Sequence, residues 1–213
     1  MIASAEVDVT IRVATVVVPL AVYFLVLGLL NTRRTPQILT GRLDFALLIT
    51  AMSPLFVLPV LHMVGISETS IVAACGVVAC GILVLAPRGR TWVVYNATPA
   101  EAQRAASSAL RAMGHSWCKV GGGVLRIDEG GQRVHMTPFP LLRNVSIRFE
   151  GNEEGGAAFG RQLTRELAGV QTEPRSTAVA LLVVAVGMMV APLAMLANQA
   201  GEIARIVSGL LNN

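Results

Sequence analysis

The chain has 213 residues, 54% of them hydrophobic and 14% charged, with a mean hydropathy of +0.63 and a formal net charge of +4. These values lie far from those of an ordinary soluble domain, and the apolar residues are gathered into long uncharged runs of the length that crosses a bilayer as a helix, about 20 residues. Arginine carries nearly all the positive charge, Lys119 being the only lysine, and the three cysteines Cys75, Cys80 and Cys118 lie too far apart in context to predict a disulfide.

Glu6 and Asp8 precede the first apolar run, where a secretory signal needs a basic region, so the segment is expected to stay as an anchor. That run, 12–30, is the first of four predicted membrane spans, followed by 44–65, 69–87 and 177–199, none with a charge near its centre. Continuous apolarity without period-two alternation selects helices over a barrel, since lipid cannot satisfy exposed backbone groups. Only Ile66, Ser67 and Glu68 join the second and third spans, which predicts a tight helical hairpin. Pro54 and Pro59 in the second span and Pro192 in the fourth are expected to favour kinks.

Arginines near the span ends set the expected orientation. Arg33, Arg34 and Arg42 lie between spans one and two, and Arg88, Arg90 and Arg175 flank the polar region between spans three and four. The other side has Arg12 and Arg205 beside Glu6, Asp8, Glu68 and Glu202. The chain is therefore read as a multi-pass protein of the cell membrane with both termini outside and residues 88–175 cytoplasmic.

Within 88–175, the run Trp92, Val93, Val94 and Tyr95 predicts a strand. Thr98, Pro99 and Glu101 supply an N-cap, an N1 proline and a capping-box acid, opening a helix with Ala102, Ala106, Ala109, Leu110 and Met113 on one face and a stop at Gly114. Strand patterns follow around Trp117 to Val120, Val124 to Asp128 and Arg133 to Thr137, separated by glycine turns, and then in Asn144 to Glu150, where Val145, Ile147 and Phe149 share a face. Asn152 caps a last helix with Phe159, Leu163 and Leu167 on its stripe. The expected fold is an integral membrane α-helical protein with an inserted α+β two-layer domain of order β-α-β-β-β-α. Its expected segments are 1–87 with spans one to three, 88–175 as the inserted domain, and 176–213 with span four and a short amphipathic helix.

No motif for catalysis, cofactor or metal stands out, and none is assigned. His62, His115 and His135 have no partner at a recognisable spacing, His115 and Cys118 form an isolated H-x-x-C, and the Gly121, Gly122, Gly123 run lacks the Lys-Ser/Thr and helix of a phosphate loop. His62 sits at the outer end of span two as an interfacial polar residue. Three sets of residues are candidates for contact. Arg126, Arg133, His135 and Arg148 alternate with apolar residues and should share the sheet face opposite the helices, where they either are solvated or dock an acidic protein surface or anionic headgroups. Cys75 with Ala79, Gly76 with Cys80, and Gly187 with Ala191 stand four apart, the spacing that lets helices approach closely, within the chain's own bundle or on a partner. Ile203, Ile206, Val207, Leu210 and Leu211 form one apolar stripe suited to the membrane surface or another subunit.

These features favour a non-catalytic accessory or scaffolding subunit of a larger membrane complex, with membrane lipid and other membrane subunits as partners. Nucleic acid is not favoured, because the basic face lacks aromatic platforms. The alternatives are a small homo-oligomeric transporter or channel moved by the proline-bearing second span, and a membrane enzyme with a cytoplasmic-face site at His115, Cys118 or His135.

Overall fold

A computed structural model describes residues 2–65, 67–87, 90–128, 131–140, 144–172 and 176–198, with 200, 201, 204 and 208, and at 2–8, 176 and 177 the backbone alone. The elements in order are α1 (Ile2–Thr32), β1 (Gln37–Thr40), α2 (Gly41–Val64), α3 (Glu68–Leu85), β2 (Arg90–Tyr95), α4 (Pro99–Ala112), β3 (Trp117–Gly121), β4 (Val124–Ile127), β5 (Arg133–Phe139), β6 (Asn144–Glu150), α5 (Glu153–Ala168) and α6 (Ser176–Asn198). Four of the helices, α1, α2, α3 and α6, are long and apolar enough to cross a membrane. The chain divides into two compact units, a helical one of Met1–Val26, Leu48–Cys80 and Leu181–Asn213, and a sheet unit of Leu27–Leu47 and Gly81–Ala180.

In the helical unit, α1, α2 and α6 run unbroken through Pro19, Pro54, Pro59 and Pro192. Among the described residues its buried apolar side chains are small: Ala14 and Ala21 of α1, Ala51 of α2, and Ala185 and Pro192 of α6, with α1's pair seven residues apart on one face. The third apolar helix behaves differently, for α3 has no buried residue at all.

The sheet unit holds one antiparallel sheet of order β1-β2-β6-β5-β4-β3, with α4 and α5 packed on one face. Two features depart from the β-α-β-β-β-α expectation. Four strands lie between the helices, as the individual segments already imply, and a further strand comes from the connection between α1 and α2. That strand, β1, pairs Gln37 with Tyr95 and Thr40 with Trp92, so the domain is not a simple insertion between the third and fourth apolar helices. Four residues after Pro36 are too short for alternation to register, and the partner that makes them a strand lies more than fifty positions away.

Local signals fix both helices of this unit. Thr98 Oγ1 accepts from the Glu101 N–H at 3.2 Å while Glu101 Oε2 accepts from the Thr98 N–H at 2.7 Å, a complete capping box. At its other end α4 closes with a 6→1 bond from the His115 N–H to the Leu110 carbonyl, 3.0 Å, and Gly114 at φ +79°. Asn152 Oδ1 accepts from the Gly155 N–H at 2.9 Å to start α5. The helices bury Ala102, Ala105, Ala106, Ala109 and Leu110 of α4, and Phe159, Leu163 and Leu167 of α5, against Val94, Leu125, Ile127, Val134, Val145, Ile147 and Phe149. Phe159 stacks on Phe149 at 5.5 Å between ring centroids and lies 5.7 Å from Trp92.

Candidate functional site

The register brings the four expected cationic positions together on the sheet face away from α4 and α5. Arg126 is opposite Arg133, and His135 is opposite Arg148, so the residues form a patch across β4, β5 and β6. Glu150 belongs to the same patch, although the alternation of β6 already placed it there. It is opposite Arg133, its Oε2 lies 3.1 Å from His135 Nε2, and its Oε1 lies 3.6 Å from Arg148 Nε. The patch is therefore an acid ringed by cations, and part of its charge is satisfied internally. The same sheet face changes character towards β2, where Val93 and Tyr95 are buried. The Tyr95 hydroxyl donates to Asp44 of the first turn of α2, a pairing that the sequence pattern does not announce.

Beside Tyr95, Asn96 adopts φ +59° with its side chain fully buried. Its Nδ2 donates to the Arg33 carbonyl and to Thr172 Oγ1 at 2.7 Å, and the Thr172 N–H donates to the Arg34 carbonyl at 2.8 Å. Three chain segments, those following α1, β2 and α5, are thereby tied into one polar node.

A cleft of about 460 Å³ opens on the sheet unit where β1 ends. Thr40 opposite Trp92 is the last β1–β2 pair, so Arg90 and Thr91 outrun the neighbouring strand as the chain turns into α2. Thr40, Arg42, Arg90, Thr91, Trp92 and Glu153 line the gap. Arg90 donates to the Asn152 carbonyl at 2.9 Å and pairs with the exposed Glu153 at 3.1 Å. Arg42 has no hydrogen-bond or ion-pair partner among the described residues.

The small residues singled out on α3 and α6 all lie exposed. Cys75, Gly76, Ala79 and Cys80 of α3, and Gly187 and Ala191 of α6, contribute nothing to burial inside the single chain. A Cβ added at Gly76 or Gly187 would meet no atom within 4 Å. The inward faces are instead marked by the buried alanines of α1, α2 and α6, which a search for residues four apart passes over. Ile203, Ile206, Val207, Leu210 and Leu211 lie outside the described residues.

Of the histidines, His62 Nδ1 lies 3.3 Å from an Arg12 guanidinium nitrogen in the helical unit, His115 follows the closing turn of α4, and His135 is held by Glu150. Cys118 is opposite Arg126 on the open sheet face. Among the described residues no three of His, Cys, Asp and Glu gather as a metal-binding group. Comparison of the chain with family models, curated proteins and solved structures finds no match.

Proposed function

We propose that this chain is a non-catalytic accessory or scaffolding subunit of a larger membrane protein complex. The observation that carries the reading is α3, an apolar helix of eighteen residues with no buried side chain and a small-residue face open to a partner. Without a hydrophobic driving force in lipid, helices associate through close packing, and glycine, alanine and cysteine at spacing four permit that approach. In this reading all four apolar helices span the cell membrane, both termini are outside, and the sheet unit with its Arg126, Arg133, His135 and Arg148 patch faces the cytoplasm for docking. Arg33, Arg34, Arg42 and Arg90 at one set of helix ends support that orientation through the positive-inside rule.

The test is to place bulk on the open face. Gly76→Leu and Gly187→Leu should leave the isolated chain as stable as wild type, because a Cβ at either position meets nothing. Recovery of partner chains in a mild-detergent isolation should fall several-fold. Wild-type recovery with both substitutions present would remove α3 and α6 as the contact surface.

A further inference from the structure

We propose that the cleft between Arg42 and Arg90 binds a phosphate group, carried either by the headgroup of an anionic lipid or by free phosphate. The cleft's volume, about 460 Å³, falls within the range of small-ligand sites, about 300–1,000 Å³. Its lining supplies the chemistry an anion needs: two guanidiniums, which match phosphate oxygens as bidentate donors, and the hydroxyls of Thr40 and Thr91. Arg42 has no protein anion to neutralise it among the described residues, and Arg90 is held in place from the side by the Asn152 carbonyl, 2.9 Å away, leaving it oriented before any ligand arrives.

The gap is built into the fold. Gly41 lets the chain turn from β1 into α2 directly against Thr91, where a Cβ would stand 2.9 Å from the Thr91 Cβ, and this close turn sets Arg42 beside the protruding end of β2. Glu153 is the opposing charge in the lining, paired with Arg90 at 3.1 Å but with its carboxylate exposed to solvent, so a bound phosphate competes with a weak surface pair rather than a buried one. Arg42 also lies in the first turn of α2, one of the long apolar helices, and if that helix spans the membrane its first turn sits at headgroup depth. Only the lipid source rests on the membrane reading; the guanidinium chemistry is the same for both, and neither depends on a partner subunit.

The experiment uses the full chain purified in a neutral maltoside detergent. Trp92 lines the cleft and Trp117 is the only other tryptophan, so Trp117→Phe makes indole emission a local reporter. At constant ionic strength the protein is titrated with inorganic phosphate, with dihexanoyl phosphatidylglycerol and with dihexanoyl phosphatidylcholine. A saturable change with phosphatidylglycerol alone supports the lipid headgroup, and one with inorganic phosphate as well supports a free-phosphate site. Arg42→Gln, at an exposed position that leaves the fold's hydrogen bonds intact, should weaken binding about tenfold, and adding Arg90→Gln should abolish it. Glu153→Gln should tighten it by removing the competitor. The proposal is overturned by any of three results: no saturable response to either anion, equal responses to phosphatidylcholine and phosphatidylglycerol, or an equal loss in the Arg126→Gln/Arg133→Gln control, which removes two charges elsewhere on the sheet.

Discussion

Asn96 directly follows β2 in the left-handed region and donates from one amide group to two segments distant in sequence. Asparagine is one of the few residues with a side chain that takes this backbone readily, so two requirements meet at a single position. Asn96→Ala removes both donors, leaves the Arg33 carbonyl and the Thr172 hydroxyl with one partner fewer, and puts a Cβ-strained residue at φ +59°. The expected loss is about 2–4 kcal/mol. Asn96→Gly should lose about 1 kcal/mol less, because glycine accepts the backbone while still lacking the side chain. Thermal unfolding of the full chain in detergent measures both, and equal Tm values for the two variants would show that backbone strain plays no part. Glu150 is instructive at the same scale. Alternation along β6 places it with Arg148, but only the pairing of β5 with β6 shows that it also meets His135 and Arg133.

The helix α5 shows how an element's sequence is written for its neighbour. Gly156 and Gly160 stand four apart on the face towards the sheet, and a Cβ at Gly160 would lie 2.5 Å from the Trp92 ring, while one at Gly156 would fall 1.8 Å from the Arg90 side chain. The bulk removed from the helix is supplied by the strand. Gly160→Ala is therefore expected to destabilise the sheet unit by about 1–3 kcal/mol through overpacking. Trp92→Leu in that background should recover part of the loss, a coupling that a double-mutant cycle in thermal unfolding reads directly; purely additive effects would contradict the contact. The capping box at Thr98 and Glu101, the Asn152 cap and the stripes of α4 and α5 were legible because each depends on residues within a few positions of one another. The strand β1, the pairing of Tyr95 with Asp44 and the cleft at Arg42 were not, because each is created by a partner more than forty residues away. The glycine spacing in α5 was a readable signal, but the apolar stripe of Phe159, Leu163 and Leu167 explained that helix without it.

At the scale of the whole molecule, two units built on different physics share one chain, a helical unit that buries mainly alanines and a sheet unit that buries large aliphatic and aromatic side chains. The proposed orientation predicts that, with Cys75, Cys80 and Cys118 replaced by serine, a cysteine at Ser4 reacts with a membrane-impermeant thiol reagent in intact cells, whereas one at Asn152 reacts only after permeabilisation. Labelling at Asn152 alone would invert the orientation. The exposed faces of α3 and α6 lead to the stronger claim, that the chain works as part of something larger. The direct measurement is the composition of the species isolated through a tag on this chain in mild detergent, read by native mass spectrometry. A stoichiometric set of other membrane proteins at fixed ratio to this 22.5 kDa chain is the expected result. Masses equal only to this chain or to whole multiples of it, at full yield from native membranes, would contradict the subunit reading and favour a homo-oligomeric transporter or channel.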